Sequence, residues 1–416
     1  MKKPHRTLPR NRLLIPGLLT VLPFITIAQE TSVAPIEGEP IRLSQFVVTS
    51  DTAVGYRSLD SISGTNTRIS LRDLPQSITV FNEEFLRDTG ANSLMESVAF
   101  SASTSVNSTN QFNRVTFAIR GYESQTLRDG FSWFLGNDAY NVERVEVVKG
   151  PAAVLYGSSQ PGGFVNTISK RPLRDARASV RATVGSYSKR RAEIDVNRPI
   201  VGDKLLFRFL AAYDHFDTHR DFENTENIWI NPVVTWIPFD KVNLTVRWER
   251  NQHRHVPVNG LPINNPQTAW VDVPISWNNA GPAVFEDMDV DAYNADLQVE
   301  INERISFRNQ TTLVKQDREE LRRAINRLGV SGAPNDGRSL AAAINYGYER
   351  RESFSNKAEL VIEFGNGSAW ENKTLIGTQY NDSFVRQVGP LRIPGFTTGE
   401  LTHDVFTLNR PFEQYY

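Results

Sequence analysis

Two histidines interleaved with carboxylates carry the clearest potential for metal chemistry. His215 and His219 alternate with Asp214, Asp217 and Asp221. Positions four apart on a strand face the same side, so both imidazoles could in principle bind one ion. The stretch also spans the predicted end of a strand and the loop that follows, where solvated polar residues are usual. Because the spacing is loose, we predict a solvated rim and no metal site.

His253 and His255 are interpreted in the same way as the first pair. A separate group consists of the carboxylates Glu286, Asp287, Asp289 and Asp291. Carboxylates at this density could bind calcium. The run lacks the glycine and the distal glutamate of a calcium-binding loop, however. A solvated acidic rim is therefore the expectation here as well.

The composition excludes several other chemistries. The chain has 416 residues, 46 Lys+Arg against 47 Asp+Glu, and no cysteine. A net charge of -1 argues against a nucleic-acid binder that neutralises many phosphates. Without cysteine there is no disulfide framework, zinc ribbon, iron–sulfur site or thiol nucleophile.

The N-terminus predicts export. Five basic residues precede an uncharged apolar run, Leu13 to Ile27, which ends at the small residue Ala28. This pattern is typical of a signal peptide over residues 1–28. A spanning helix would need about 20 apolar residues, and Pro16 and Pro23 weaken that alternative. Residues 29–61 are poor in core side chains and predict an extended arm.

Residues 62–172 predict an α+β domain. Period-2 patterns predict strands at Gln76–Phe81, Thr116–Arg120 and Val142–Val148, and helices follow Asn82 and Asn92. The Ser/Thr/Asn-rich segment 101–110 predicts a loop.

Residues 173–416 predict serial antiparallel hairpins. Tight turns alternate with long polar loops at 215–227, 253–289 and 317–345, an asymmetry typical of an outer-membrane β-barrel. The nine predicted strands are 178–186, 190–197, 204–214, 228–237, 242–252, 290–301, 304–316, 346–364 and 371–384. The fold class is thus mainly β, an α+β domain followed by a transmembrane antiparallel barrel.

Several motifs, in order, resemble the plug domain of TonB-dependent outer-membrane receptors of the ferric-siderophore type. The motifs are Leu74–Val80, Ile119–Tyr122, Asn141–Gly157, Pro161–Asn166, Ser169–Pro172 and the barrel opening Val184–Tyr187. The resemblance implies a plug inside a 22-strand barrel in the outer membrane of a Gram-negative-type bacterium, with arm and plug on the periplasmic side. It implies active import of a ferric siderophore, no enzyme activity, no cofactor and outer-membrane lipid around the barrel.

The resemblance also implies a partner. TonB, with its inner-membrane energising complex, would pair with a short β-prone island in the arm and pull on the plug. From the residues alone, the island could equally be the first strand of the next domain. The implied TonB box consists of Leu43, Ser44, Gln45, Phe46, Val47, Val48 and Thr49.

Ligand contacts are expected from the outward plug loops. Trp133 and Phe134 lie where the family has its plug apex, and aromatic faces suit amphipathic chelates. Packing within the plug or contact with the barrel wall is the alternative role for these rings. Arg114 and Tyr122 are weaker candidates, Arg114 because a guanidinium pairs with an anionic chelate.

Four charged residues at plug strand positions, Arg120, Glu143, Arg144 and Glu146, are expected to form plug–barrel contacts. If such residues are buried, they need partners. Their role would be gating or stability and not ligand choice.

Length sets a further expectation. Nine strands are well short of 22, and bacterial barrels close with an even count. We therefore expect one complete plug and an incomplete N-terminal part of a barrel. The alternatives left open are import of another scarce ligand, such as an oligosaccharide, cobalamin or another metal chelate, and a non-transporting fragment or surface protein.

Overall fold

The computed structural model describes residues 46, 55–109, 115–136, 138–150, 161–256, 274–278, 284–328, 339–365, 372–392 and 402–404. They form two large β-sheets and one two-stranded sheet. All of them belong to one unit of the chain, Ser44–Tyr416. No helix within the described ranges is long and apolar enough to span a membrane.

The first large sheet and its helices, which we call the plug, mix local and distant pairings. The strand order is β3-β8-β9-β6-β5-β4, β7 pairs with β6, and β1 pairs with β2. The strands are β1 Asp60–Ser61, β2 Ile69–Ser70, β3 Ser77–Asn82, β4 Thr104–Thr109, β5 Val115–Ile119, β6 Tyr122–Arg128, β7 Phe131–Ser132, β8 Val142–Lys149 and β9 Gly163–Ser169. Only the β6–β9 pairing in this sheet is parallel.

Two short capped helices cover one face of the plug sheet. In α1, Glu83–Asp88, the Asn82 side chain accepts a hydrogen bond from the Phe85 amide at 2.9 Å. In α2, Leu94–Val98, Ser93 and Glu96 form a capping box. The helices bury their apolar residues against β3, β5, β8 and β9 in a core of Phe81, Leu86, Ala91, Leu94, Val98, Phe117, Ile119, Val142, Val145, Val147 and Val165.

One part of the plug differs from the sequence-based prediction. The predicted loop 101–110 contains β4, which pairs with β5 from Thr104↔Ile119 to Thr109↔Val115 across a register shift. Ser, Thr and Asn were interpreted as loop formers, but tertiary pairing overrides this local preference, as is common for strands.

The second large sheet, which we call the wall, is an up-and-down array. Each strand from β10 to β18 pairs antiparallel with the next, and β19 pairs with β17. The strands are β10 Arg177–Val184, β11 Arg190–Val201, β12 Leu205–Asp217, β13 Asn224–Phe239, β14 Val242–His255, β15 Phe285–Asn302, β16 Ile305–Leu328, β17 Ser339–Phe364, β18 Asn372–Arg392 and β19 Thr402–Asp404. The nine predicted strands correspond to β10–β18.

Some predicted loops of the wall are shorter than expected. β16 and β17 extend into the predicted loop 317–345, where Asp317 pairs with Arg350 and Arg318 with Glu349 in register. Opposite charges directly across a ladder stabilise it. Polar residues that suggested a loop therefore lie in extended strands.

The polarity of the wall is reversed relative to that of a water-soluble sheet. On β14, Thr245, Arg247 and Glu249 are buried, whereas Val246 and Trp248 are 48% and 38% exposed. On this strand the polar residues face the plug and the apolar residues face outward, which is the pattern of a membrane barrel. On β15 and β16 the buried face also carries the apolar residues Met288, Val290 and Val314.

Candidate functional site

The described residues bring charged groups together mainly where the plug meets the wall. The β6–β7 hairpin presents the first of them through a two-residue turn, Asp129-Gly130, with φ of +50° and +86°. Two consecutive positive φ values fit the primed hairpin turn that Asp-Gly favours. The turn directs Asp129 toward the wall.

Asp129 joins both sides of the junction. It accepts hydrogen bonds from the Ser169 amide at 2.9 Å and the Ser169 hydroxyl at 2.8 Å, both within the plug. From the wall, Arg247 Nη1 donates to it at 2.9 Å. Burial alone would raise the pKa of Asp129, but Arg247, the Ser169 amide, Arg128 and Arg171 outweigh it and lower the pKa to about 2.

A second contact centres on Glu249 of the wall. Arg128 Nη2 lies 2.8 Å from Glu249 Oε2, and Asn141 Nδ2 donates to the same oxygen at 3.0 Å. Arg128 also stacks on Trp133, with Cζ 4.6 Å from the ring centroid. All three polar side chains are buried, so removal of one leaves a desolvated charge or dipole behind.

Further ion pairs spread the contact along the wall. Arg191 of β11 binds Asp138 at 2.6 Å. Lys170 lies between Glu83 of α1 at 2.7 Å and Asp195 of β11 at 3.3 Å.

The last of these contacts is shared by two arginines. Arg171, just after β9, binds Asp296 of β15. Arg308 of β16 donates to Asp296 through Nε at 3.0 Å and Nη2 at 2.8 Å. We call Arg171, Asp296 and Arg308 the Asp296 triad.

Two of the four residues predicted as plug–barrel contacts have partners within the plug. Arg144 donates to Asp60 at 3.2 Å, and Glu146 accepts from Ser61 at 2.6 Å, so both interact inside the plug. Glu143 is buried on the same strand. Arg120 is exposed, with φ of +53°.

The junction residues that sequence reasoning missed lie at the ends of plug strands, namely Arg128, Asp129, Asp138, Asn141, Lys170 and Arg171. One signal in the sequence could have indicated them. Charged residues at every second position of a wall strand, such as Arg247 and Glu249, share one face of the sheet, and the plug must supply their partners if that face is buried. The pairing itself was not readable, because Asp129 and Arg247 are 118 residues apart.

The predicted apex residues differ in exposure. Trp133 is buried and packs with Leu135 against Met288, Val290 and Val314 of the wall. Phe134 is half-buried beneath Arg351, whose Cζ is 4.8 Å from the ring centroid.

Of the remaining predicted ligand and arm residues, the structure describes Tyr122 and Phe46. Tyr122 is 56% exposed. Arg114 lies outside the described residues, as do all TonB-box positions except Phe46. Phe46 is buried against Arg308, with Cζ 5.5 Å from its ring centroid.

The histidines considered for metal binding do not gather into a larger cluster within the described residues. His215 lies 3.7 Å from Asp217, and His253 stacks on His255 with centroids 5.9 Å apart. Among the described residues no three His, Asp or Glu side chains are placed to hold a metal ion. The geometry instead describes a plug–wall junction that is held together by buried ion pairs.

Comparison with known families finds relatives of both parts of the chain. Residues 70–164 match the family model "TonB-dependent Receptor Plug Domain". The metal-pseudopaline receptor CntO of Pseudomonas aeruginosa is 31% identical over 212 residues, 49% of this chain and 30% of that protein. The ferrioxamine B receptor of Salmonella typhimurium is 26% identical over 395 residues, 90% of this chain and 52% of that protein.

A solved structure agrees with the fold. The receptor FpvA of P. aeruginosa, in complex with iron and a heterologous pyoverdine, superposes with a TM-score of 0.75 at 20% identity, covering 86% of this chain and 48% of that one. At this identity the likeness concerns the fold alone. The chain spans about a third to a half of the length of the curated relatives it matches.

Proposed function

We propose that this member of the TonB-dependent siderophore-receptor family takes part in the active import of a ferric siderophore across the outer membrane. Energy would arrive through the arm, where TonB would pair with the box at Leu43–Thr49. Lipid would surround the apolar outer face of the wall. No cofactor, nucleic acid or bond-breaking chemistry is needed for this role.

The plug–wall junction carries the proposal. A plug fixed to the wall by buried ion pairs at Asp129, Glu249 and Asp296 blocks the lumen at rest. Leaving one charge of a buried ion pair without its partner costs about 3–5 kcal/mol, so a displacement of the plug that separates these pairs before both charges are hydrated requires work. Delivery of that work through an arm attached to the plug is consistent with this arrangement.

We assign the orientation from the connections. The turns after β11, β13 and β15 are short, whereas those after β14 and β16 are long, and we assign the short turns to the periplasmic side, as in other barrels. The longer connections then face outward, and the arm lies on the periplasmic side with the plug.

The ligand would meet the plug at its apex. We assign this contact to Phe134 and Trp133, with Tyr122 and Arg114 as further candidates. Arg351 stacked on Phe134 supports the assignment, because a guanidinium with one face on a ring can still donate to an anionic chelate.

Uptake of a labelled ferric siderophore tests the proposal. We expect cells that carry the full-length gene to accumulate label under iron limitation. Deletion of the gene, deletion of tonB, or collapse of the proton gradient should each abolish accumulation. Equal accumulation with and without the gene, across catecholate and hydroxamate chelates, would contradict the proposal.

A second cargo class deserves the same test, because one relative is named a metal-pseudopaline receptor. If ferric chelates are not transported, uptake of a chelate of another metal that depends on the gene and on TonB would assign the protein to a different metal. If neither class of chelate is taken up, both cargo proposals are wrong.

A further inference from the structure

Phe46 occupies a seat between the plug and the wall. The aromatic ring is 3% exposed although it belongs to the arm. The seat is lined by Ile62, Asn66 and Gly130 of the plug, by Arg171 after it, and by Arg308 and Lys357 of the wall, and a cavity of about 30 Å³ remains there. An arm residue is thus buried at the junction that holds the plug.

The ring lies against the Asp296 triad. Arg308 turns its guanidinium toward Phe46 and at the same time donates twice to Asp296. Arg171, which extends from the plug to the same carboxylate, also lines the seat. The three charged side chains are at most 17% exposed. Phe46 therefore covers the point where one carboxylate binds both plug and wall.

An apolar ring over the Asp296 triad strengthens the ion pairs within the triad. The attraction between two charges falls as the effective dielectric constant rises from about 20 near protein to about 80 in water. A cavity of about 30 Å³ holds roughly one water, whereas loss of the phenyl ring would admit several more. The ring also contributes a cation–π contact of about 0.5–2 kcal/mol to Arg308.

We propose that Phe46 is a removable cover of the Asp296 triad, so that withdrawing the arm from its seat hydrates the triad and loosens the plug from the wall. The inference rests on the proposed function for the force that withdraws the arm. The proposed link itself does not depend on that force, because it states only that the position of the arm and the retention of the plug are coupled through the Phe46 side chain.

Hydrogen exchange in the resting protein tests this link. Two backbone amides report on the junction: Gly130 donates to Asn166 Oδ1 at 3.2 Å, and Ser169 donates to Asp129 Oδ1 at 2.9 Å. In the full-length receptor in nanodiscs, without TonB or chelate, Phe46→Ala should accelerate exchange of both amides by about tenfold. Phe46→Trp keeps an aromatic face and should stay close to wild type.

Two controls separate a local from a general effect. Phe100→Ala removes another plug aromatic, one that is 57% exposed, and should leave both reporter amides unchanged. The amides of the β3–β8 ladder should also exchange as in wild type in Phe46→Ala.

Unchanged exchange at Gly130 and Ser169 in Phe46→Ala would overturn the proposal. Equal acceleration throughout the plug would overturn it as well, because the ring would then serve general stability. Neither result depends on TonB or on a ligand, so either would leave the import proposal standing. Failure of uptake, conversely, would not alter these exchange rates.

Discussion

A single carboxylate, Asp129, connects a tight turn, a neighbouring plug strand and the wall. The Asp-Gly pair that forms this turn is visible in the sequence. The contact to Arg247 is not, because it spans 118 residues and depends on how the plug sits in the wall. Partners that are distant in sequence also explain the prediction for β8. Its charged residues were expected to contact the wall, whereas Arg144 and Glu146 have partners inside the plug.

Asp129 should make the junction sensitive to acid. Its pKa is lowered to about 2, so the ionised form stabilises the fold above its ordinary pKa of 3.8 and this stabilisation is lost as the pH falls from about 4 to about 2. The loss amounts to about 2 kcal/mol. We expect the protection factor of the Ser169 amide, which is its intrinsic exchange rate at each pH divided by the observed rate, to fall over that range in wild type. Asp129→Asn should exchange faster at pH 7 and show less change with acid; an unchanged pH profile would contradict the assignment.

Glu249 should be the costliest single carboxylate to remove from the wall. Glu249→Ala leaves Arg128 and Asn141 buried without this acceptor and should destabilise plug seating by about 3–5 kcal/mol. Urea-induced plug release, followed by protease access, measures this. The matched control is Glu363→Ala, whose exposed pair with Lys373 should contribute less than about 1 kcal/mol. Equal effects of the two substitutions would contradict the claim that a buried ion pair at Glu249 holds the plug to the wall.

At the scale of elements, the period of the pattern determined what could be predicted. Wall strands alternate polar and apolar residues, and all nine were predicted, with ends that differ where cross-strand ion pairs extend the ladder, as at Asp317–Arg350. β4 was interpreted as a loop because its residues have no hydrophobic alternation. β6 and β9 were not predicted. The residues of β6, Tyr122–Arg128, are mostly polar and do not alternate, and the parallel pair that β9 makes with β6 joins distant segments.

The Gly162-Gly163 motif has an element-scale explanation. Gly163 begins β9 with φ of +124°, and a Cβ there would lie 2.0 Å from the Val148 carbonyl oxygen. Gly163→Ala must therefore displace the β8–β9 ladder, which should cost more than about 2 kcal/mol. Exchange of the Val147 and Val165 amides checks this.

Gly202→Ala is the control for that substitution. Gly202 also has a positive φ, +46°, but no atom lies within 4 Å of a Cβ at this position. Its cost should be about 1 kcal/mol. A Gly163 variant no worse than the Gly202 variant would refute the close-approach explanation.

At the scale of the whole molecule, the reversed polarity of the wall explains why a plug is needed. The strands bury polar side chains on the face that a lumen would have, and the plug supplies partners such as Arg128, Asp138 and Arg171. The sequence predicted both parts and their order from alternation and motifs. It could not predict these plug–wall ion pairs, because the partners lie 53 to 125 residues apart in the chain.

Transport driven through the arm is the central claim, and Val47→Pro tests it most directly. Proline removes the backbone N–H that strand pairing with TonB would use, whereas Val47→Ala keeps it and serves as the matched control. The measurement is uptake and surface binding of the same labelled ferric siderophore in cells producing each full-length variant. We expect Val47→Pro to bind as wild type does and to import nothing, with Val47→Ala active in both. Unchanged uptake by Val47→Pro would contradict the account.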